Sequence, residues 1–177
     1  MKKMKRLVAV LLAAVMALAM LTACGGSSSN STEAIVLNAM NTAWGTSYGN
    51  NSNLKAKVRA VLQKVDENGR IKVSDLPSVD RYGKMYCVSD YNFNTSTGDV
   101  SMIYYIVTED NPNSSNVSSV KAIEVTDALL EEMKNAKPGD DKTDTREIAA
   151  VGVSAYTASN GKTYIGLAIK AGNVKAQ

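Results

Sequence analysis

The sequence predicts an α+β domain with a mainly antiparallel sheet of about four strands, arranged as two hairpins and packed with about three helices. Three observations carry this. Apolar residues recur at helical spacing in Ile35–Trp44 and Leu54–Val65, and again between Ala122 and Met133. Two pairs of β-rich runs flank that last stretch, each pair joined by a polar segment containing glycine.

Taken in order, Asn30 and Glu33 have the spacing of a capping box, and Ile35, Val36, Ala39, Met40, Ala43 and Trp44 share one helical face from Thr32 onward. GTSYGNNS interrupts the pattern. A second helix, capped by Ser52, puts Leu54, Val58, Val61, Leu62 and Val65 on one stripe and turns Lys55, Lys57, Arg59 and Lys64 outward, and ENG ends it. RIKVSDLPSVDRYGK reads as a short extended piece and an irregular loop, because Pro77 has no amide hydrogen to give to a sheet ladder. KMYCVSDYNF and VSMIYYIVTE are strands joined by NTSTGD. In the second of them Val100, Met102, Tyr104 and Ile106 take one face and Ser101, Ile103, Tyr105 and Val107 the other. Both faces are largely apolar, which places this strand centrally.

After the polar loop NPNSSNVSS, residues from about Ser119 to Lys137 form the third helix, with Ala122, Val125, Leu129 and Met133 as its buried stripe and Pro138-Gly139 as its stop. REIAAVGVSAYTASNGKTYIGLAIK is the second hairpin, turning at Asn160-Gly161. Its small residues Ala149, Ala150, Gly152, Ala155, Gly166 and Ala168 permit close approach of a helix, which we assign to the third.

The chain has 177 residues, 45% hydrophobic and 21% charged, enough for one domain with a real core. Its formal charge of +3 is concentrated at the start: Lys2, Lys3, Lys5 and Arg6 precede everything folded, and without them 16 basic residues face 17 acidic ones. A nearly neutral body gives no electrostatic footprint for nucleic acid. The absence of histidine removes Ser-His-Asp triads, Cys-His pairs and histidine-ligated zinc, and two cysteines are too few for a cysteine-rich metal site.

The basic start MKKMKR is followed by the apolar run LVAVLLAAVMALAMLTA, and the run ends in Leu21-Thr22-Ala23-Cys24. This ending resembles the lipobox of bacterial lipoproteins. The resemblance covers about the first 25 residues. It implies a signal peptide over residues 1–23, a diacylglyceryl group on Cys24, and a protein held on the outer face of a cell membrane. Two acyl chains anchor stably where one, at ~0.8 kcal/mol per buried CH₂, holds only reversibly. The lipidated Cys24 and the flexible tether GGSSSNS then make up residues 24–31, the seven tether residues spanning ~15 Å, ahead of a single domain at 32–177. The closing stretch EIAAVGVSAYTASNGKTYIGLAIK is faintly similar to the last hairpin of the CAP superfamily of secreted domains. That family's cleft histidines have no counterpart here, so the likeness implies an outline of the fold and no functional residue.

Candidate sites are few. DYNFNTSTGD alternates Asp90, Asn92 and Asn94 like a calcium loop, but Thr95 stands where the turn needs glycine and Ser101 where the bidentate glutamate belongs, so it reads as a hairpin. Asp140, Asp141, Asp144 and Glu147 gather in one loop with Lys142 and Arg146 among them, which reads as a solvated loop. Cys87 reads as a buried structural thiol. Tyrosines cluster around the first hairpin. They suit a strand by β propensity alone, and also a binding surface for peptide or sugar, since each combines apolar area with a polar tip; Tyr86, Tyr91, Tyr104 and Tyr105 are the candidate ligand-binding residues.

The expectation is a membrane-anchored binding or envelope-interaction module. It has no catalytic residue, metal or cofactor, contacts membrane lipid through Cys24, and has a protein or glycan partner in the envelope. The alternatives are a histidine-free hydrolase acting on glycan or peptide, which requires paired carboxylates or a lysine of displaced pKa in a pocket, and a structural accessory subunit of an envelope complex.

Overall fold

A computed structural model describes residues 29–77, 87–94, 96, 99–110, 117–138 and 148–175. The order of elements is α1 (Ser29–Trp44), α2 (Ser52–Leu62), β1 (Arg70–Lys72) with a short 3-10 turn (Val73–Asp75), β2 (Cys87–Asn94), β3 (Asp99–Ile106), β4 (Ser119–Lys121), α3 (Asp127–Lys134), β5 (Ile148–Thr157) and β6 (Thr163–Lys175). The four long strands form one sheet in the order β2-β3-β6-β5, every neighbouring pair antiparallel. The fold is α+β, as the sequence predicts. A second, two-stranded sheet of β1 and β4 was not expected.

The main sheet separates two layers of core. On one face α1 and α3 bring Val36, Met40, Trp44 and Leu129 against Tyr104, Ile106, Val151, Val153, Ile165, Leu167 and Ile169. On the other face α2 and the small sheet bring Leu54, Val58, Leu62, Ile71 and Val120 against Ile103, Tyr105, Tyr164 and Ala168. β3 is central, between β2 and β6, and its two faces divide between the two clusters as its doubly apolar alternation requires.

Four expectations are corrected. The third helix begins at Asp127, not Ser119: Thr126 is its N-cap, the hydroxyl accepting from the Leu129 amide at 3.1 Å, and Ser119–Lys121 is strand. Val117, Val120, Ile123 and Val125 are β-branched and lower helix propensity over this stretch, which instead pairs with Arg70–Lys72. The helix lying on the small residues of the closing hairpin is α2, not α3: a Cβ on Gly152 would stand 2.5 Å from the Lys55 backbone nitrogen, and one on Gly166 would stand 2.7 Å from a Val58 methyl. The N-cap of α2 is Asn51, whose side-chain oxygen accepts from Asn53 and Leu54, rather than Ser52; the helix ends at Leu62, so Val65 reaches the core from the turn beyond it. Finally, α1 starts at Ser29, inside the stretch assigned to the tether, and Glu33 does not cap it.

Glu33 instead seals an edge of the sheet. It is 4% exposed, one carboxylate oxygen accepts from the Ala155 amide at 3.0 Å, and the other pairs with the Lys55 ammonium at 2.5 Å. Along the same edge the Asn50 side chain accepts from the Val153 amide and donates to the Val153 carbonyl, at 2.8 and 3.0 Å, as a neighbouring strand would. The Asn51 amide donates to the Val151 carbonyl, and Arg59 to that of Ala155. Side chains and one loop therefore satisfy the outward groups of β5 that another strand could otherwise pair with.

Beneath α2, Ser154 is fully buried and its hydroxyl has no hydrogen-bond partner. An unsatisfied buried hydroxyl costs about 1–3 kcal/mol. Ser154→Ala is expected to raise stability by about 1 kcal/mol, read as a higher urea midpoint at unchanged slope.

Candidate functional site

On the described residues a recess lies between α1 and the end of α3. Its first wall follows from the spacing of α1, which puts Val36, Ala39, Met40, Ala43 and Trp44 on one side. The helix ends cleanly just past Trp44. Gly45 has φ +65, its amide donates to the Thr42 carbonyl and the Thr46 amide donates to that of Asn41, the paired bonds of a Schellman cap. Trp44 is thereby fixed in the last turn.

The second wall is the C-terminal turn of α3 with Glu132, Met133, Asn135, Ala136 and Lys137. Leu129 and Leu130 anchor this short helix in the core. Asn135 closes it with its backbone amide on the Glu131 and Glu132 carbonyls and its side-chain amide on that of Glu131, at 2.7 Å. Between the walls is a groove of about 280 Å³. An apolar cavity of about 30 Å³ lies further in, toward Ile106, Ile123 and Ile165, and shares Val36 and Met133 with the groove.

The groove carries one carboxylate. Burial against the apolar walls raises the Glu132 pKa above its ordinary value, because the charged form loses hydration there. Lys162 is the other displaced group. Its pKa is raised by its hydrogen bond to Glu124, at 2.9 Å, and by the charge of that carboxylate. A lysine stabilised as its cation is the opposite of a nucleophilic one, which needs its pKa lowered.

Comparisons with protein-family models, curated proteins and solved structures returned no match to this chain.

The residues singled out from sequence do not meet in one place. Tyr104 is 9% exposed and Tyr105 3%, and they belong to the cores on opposite faces of the sheet, where they act as packing residues. Tyr91 lies on β2, and Cys24 and Tyr86 fall outside the described residues. Asp90, Asn92 and Asn94 are on β2 and Asp99 begins β3, so the calcium-like run is a hairpin. The acidic loop from Asp140 to Glu147 lies outside the described residues. Cys87 opens β2. Among the described residues no three His, Cys, Asp or Glu side chains converge as a metal site, and no helix is long and apolar enough to cross a membrane.

Sequence reasoning placed Trp44, Met40 and Met133 on apolar stripes and passed over Glu132. The local signal was weak, since a carboxylate beside a stripe residue on a short helix looks like any solvated position. What distinguishes it is the apolar wall of α1, roughly ninety positions earlier in the chain.

Proposed function

We propose that this chain is an extracytoplasmic lipoprotein, anchored through Cys24, whose domain works as a binding module with the groove between α1 and α3 as its site. The single observation that carries the binding reading is that groove: a concave, mainly apolar recess with a few polar groups at one wall, the form that small-ligand sites take. Its size, about 280 Å³, lies at the low end for such sites, which run to about 300–1,000 Å³, so its occupant is small. Hydrolysis by paired carboxylates is less well supported, because the described lining supplies only Glu132. The anchoring part rests on the basic start, the apolar run and the LTAC ending. Since α1 begins five residues after Cys24, the domain would sit close to the lipid surface.

Two measurements test this. Intact-mass analysis of membrane fractions is expected to find the mature chain starting at a diacylglyceryl Cys24, and Cys24→Ser to accumulate as an unlipidated precursor that keeps residues 1–23. Wild-type protein without lipid would end the anchoring claim. For the groove, Trp44 is the only tryptophan of the chain, so its emission reports on this site alone. Saturable quenching or shift by a small apolar alcohol such as hexanol is expected, and Ala43→Leu, which fills the groove, is expected to abolish it.

A further inference from the structure

We propose that the groove takes a small organic cation: an ammonium group carried on a compact apolar body. The inference rests on the binding reading above and specifies its ligand class. Three features point to it. First, Glu132 is the acidic residue of the lining, and among the described residues its carboxylate has no ion-pair or hydrogen-bond partner. The acids around it are engaged elsewhere: Glu131 pairs with Lys134 at 2.6 Å, and Glu33, the only charged residue of α1, pairs with Lys55. No cation therefore faces Glu132 from the opposite wall.

Second, the opposite wall is chemically suited to a soft cation. Trp44 contributes an indole, the best aromatic partner for an ammonium group, and Met40 a polarisable thioether, while Met133 adds a second thioether from Glu132's own wall. Lys137 is the one basic group in the lining, but it is exposed, so water and salt screen it more strongly than they screen the part-buried Glu132.

Third, size and shape fix the body of the ligand. A volume of about 280 Å³ is too small for a docked helix, whose diameter with side chains is about 10–12 Å. The inner cavity of about 30 Å³ beyond Val36 and Met133 has room for the tip of a short aliphatic chain. The occupant is thus a compact molecule with its cationic head between Trp44 and Glu132 and its apolar end directed inward.

The test titrates hexyltrimethylammonium, hexanol and hexanoate against the full chain while following Trp44 emission. The cation is expected to saturate with an affinity about ten-fold above that of hexanol, and hexanoate to bind more weakly than either. Glu132→Gln, isosteric and in the last turn of a short helix, is expected to bring the cation down to the level of the alcohol. Equal affinities for cation and alcohol in the wild type, or a preference that survives Glu132→Gln, would overturn the ligand class while leaving the groove a binding site. No saturable response to any probe, or responses that persist in Ala43→Leu, would overturn the binding reading itself.

Discussion

Glu33→Ala is expected to lower the unfolding free energy by about 3 kcal/mol, a loss out of proportion to a single residue near the start of the domain. The Glu33 side chain is 5% exposed, so removing it strands the Lys55 ammonium, which is 34% exposed, and leaves the Ala155 amide without its acceptor. Breaking a fully buried pair costs about 3–5 kcal/mol, and partial hydration of Lys55 moves this pair toward the lower figure. The lost acceptor at Ala155 adds its own penalty of about 1–3 kcal/mol, offset where water reaches the opened edge.

Glu33→Gln separates the two contributions. The amide oxygen can still accept from Ala155 while the charge opposite Lys55 disappears, so its cost is expected to be about half that of alanine. Urea denaturation of the three proteins measures this. A Glu33→Ala loss under about 1 kcal/mol would mean that the carboxylate does not hold the strand edge. The same variant also bears on association: β5 regains a free amide at Ala155, the kind of group through which strand edges pair, so size-exclusion profiles are expected to show new oligomer.

This part of the molecule also shows where sequence reasoning stops. Asn30 and Glu33 fit a capping box by spacing, yet the real partners of Glu33 are Lys55 and Ala155, the latter 122 positions away. No local rule contains that distance. What was readable was local: the stripes of α1 and α2, the doubly apolar β3, and the turn at Asn160-Gly161 between β5 and β6 all follow from a period or a dipeptide. The misplaced start of α3 has a similar cause. Ala122 and Val125 happen to continue the spacing of Leu129 and Met133 backward across a break, and the signal that outranks periodicity was Thr126-Asp127, a capping threonine followed by an acid at the helix N-terminus.

The candidate site was legible in halves. Its α1 wall is legible as an apolar face, but a stripe says which side is buried and not whether a second helix covers it to the end. α3 is only eight residues long and stops short of doing so. The tyrosines, by contrast, were conspicuous by number and have no shared surface: successive residues on a strand point to opposite faces, so Tyr104 and Tyr105 could not both line one site on the sheet.

Gly152→Ala is expected to cost about 3 kcal/mol or more, and Gly152→Val to prevent folding at 37 °C, because the new atoms have no space to enter. The obstacle is backbone: beside the Leu54 side chain, a Cβ would meet the Lys55 nitrogen at 2.5 Å and the Leu54 carbonyl carbon at 2.7 Å. Relief requires moving α2 off the sheet, which would open the packing of Leu54, Val58 and Leu62, worth about 1.5–3 kcal/mol for each such side chain fully buried. Gly166 provides the contrast. A Cβ there meets the methyl groups of Val58 at 2.7 Å and Val107 at 2.8 Å, with no backbone atom nearer than the Ile106 oxygen at 3.6 Å. Trimming Val58 to alanine is therefore expected to recover part of the loss in Gly166→Ala, whereas Leu54→Ala is expected to recover nothing in Gly152→Ala. A double-mutant cycle on both pairs, read by thermal and urea unfolding, distinguishes a helix seated on bare backbone from one seated on side chains. Rescue of Gly152→Ala by Leu54→Ala would show that α2 has latitude to shift, and that the small residues of β5 and β6 do not set its distance from the sheet.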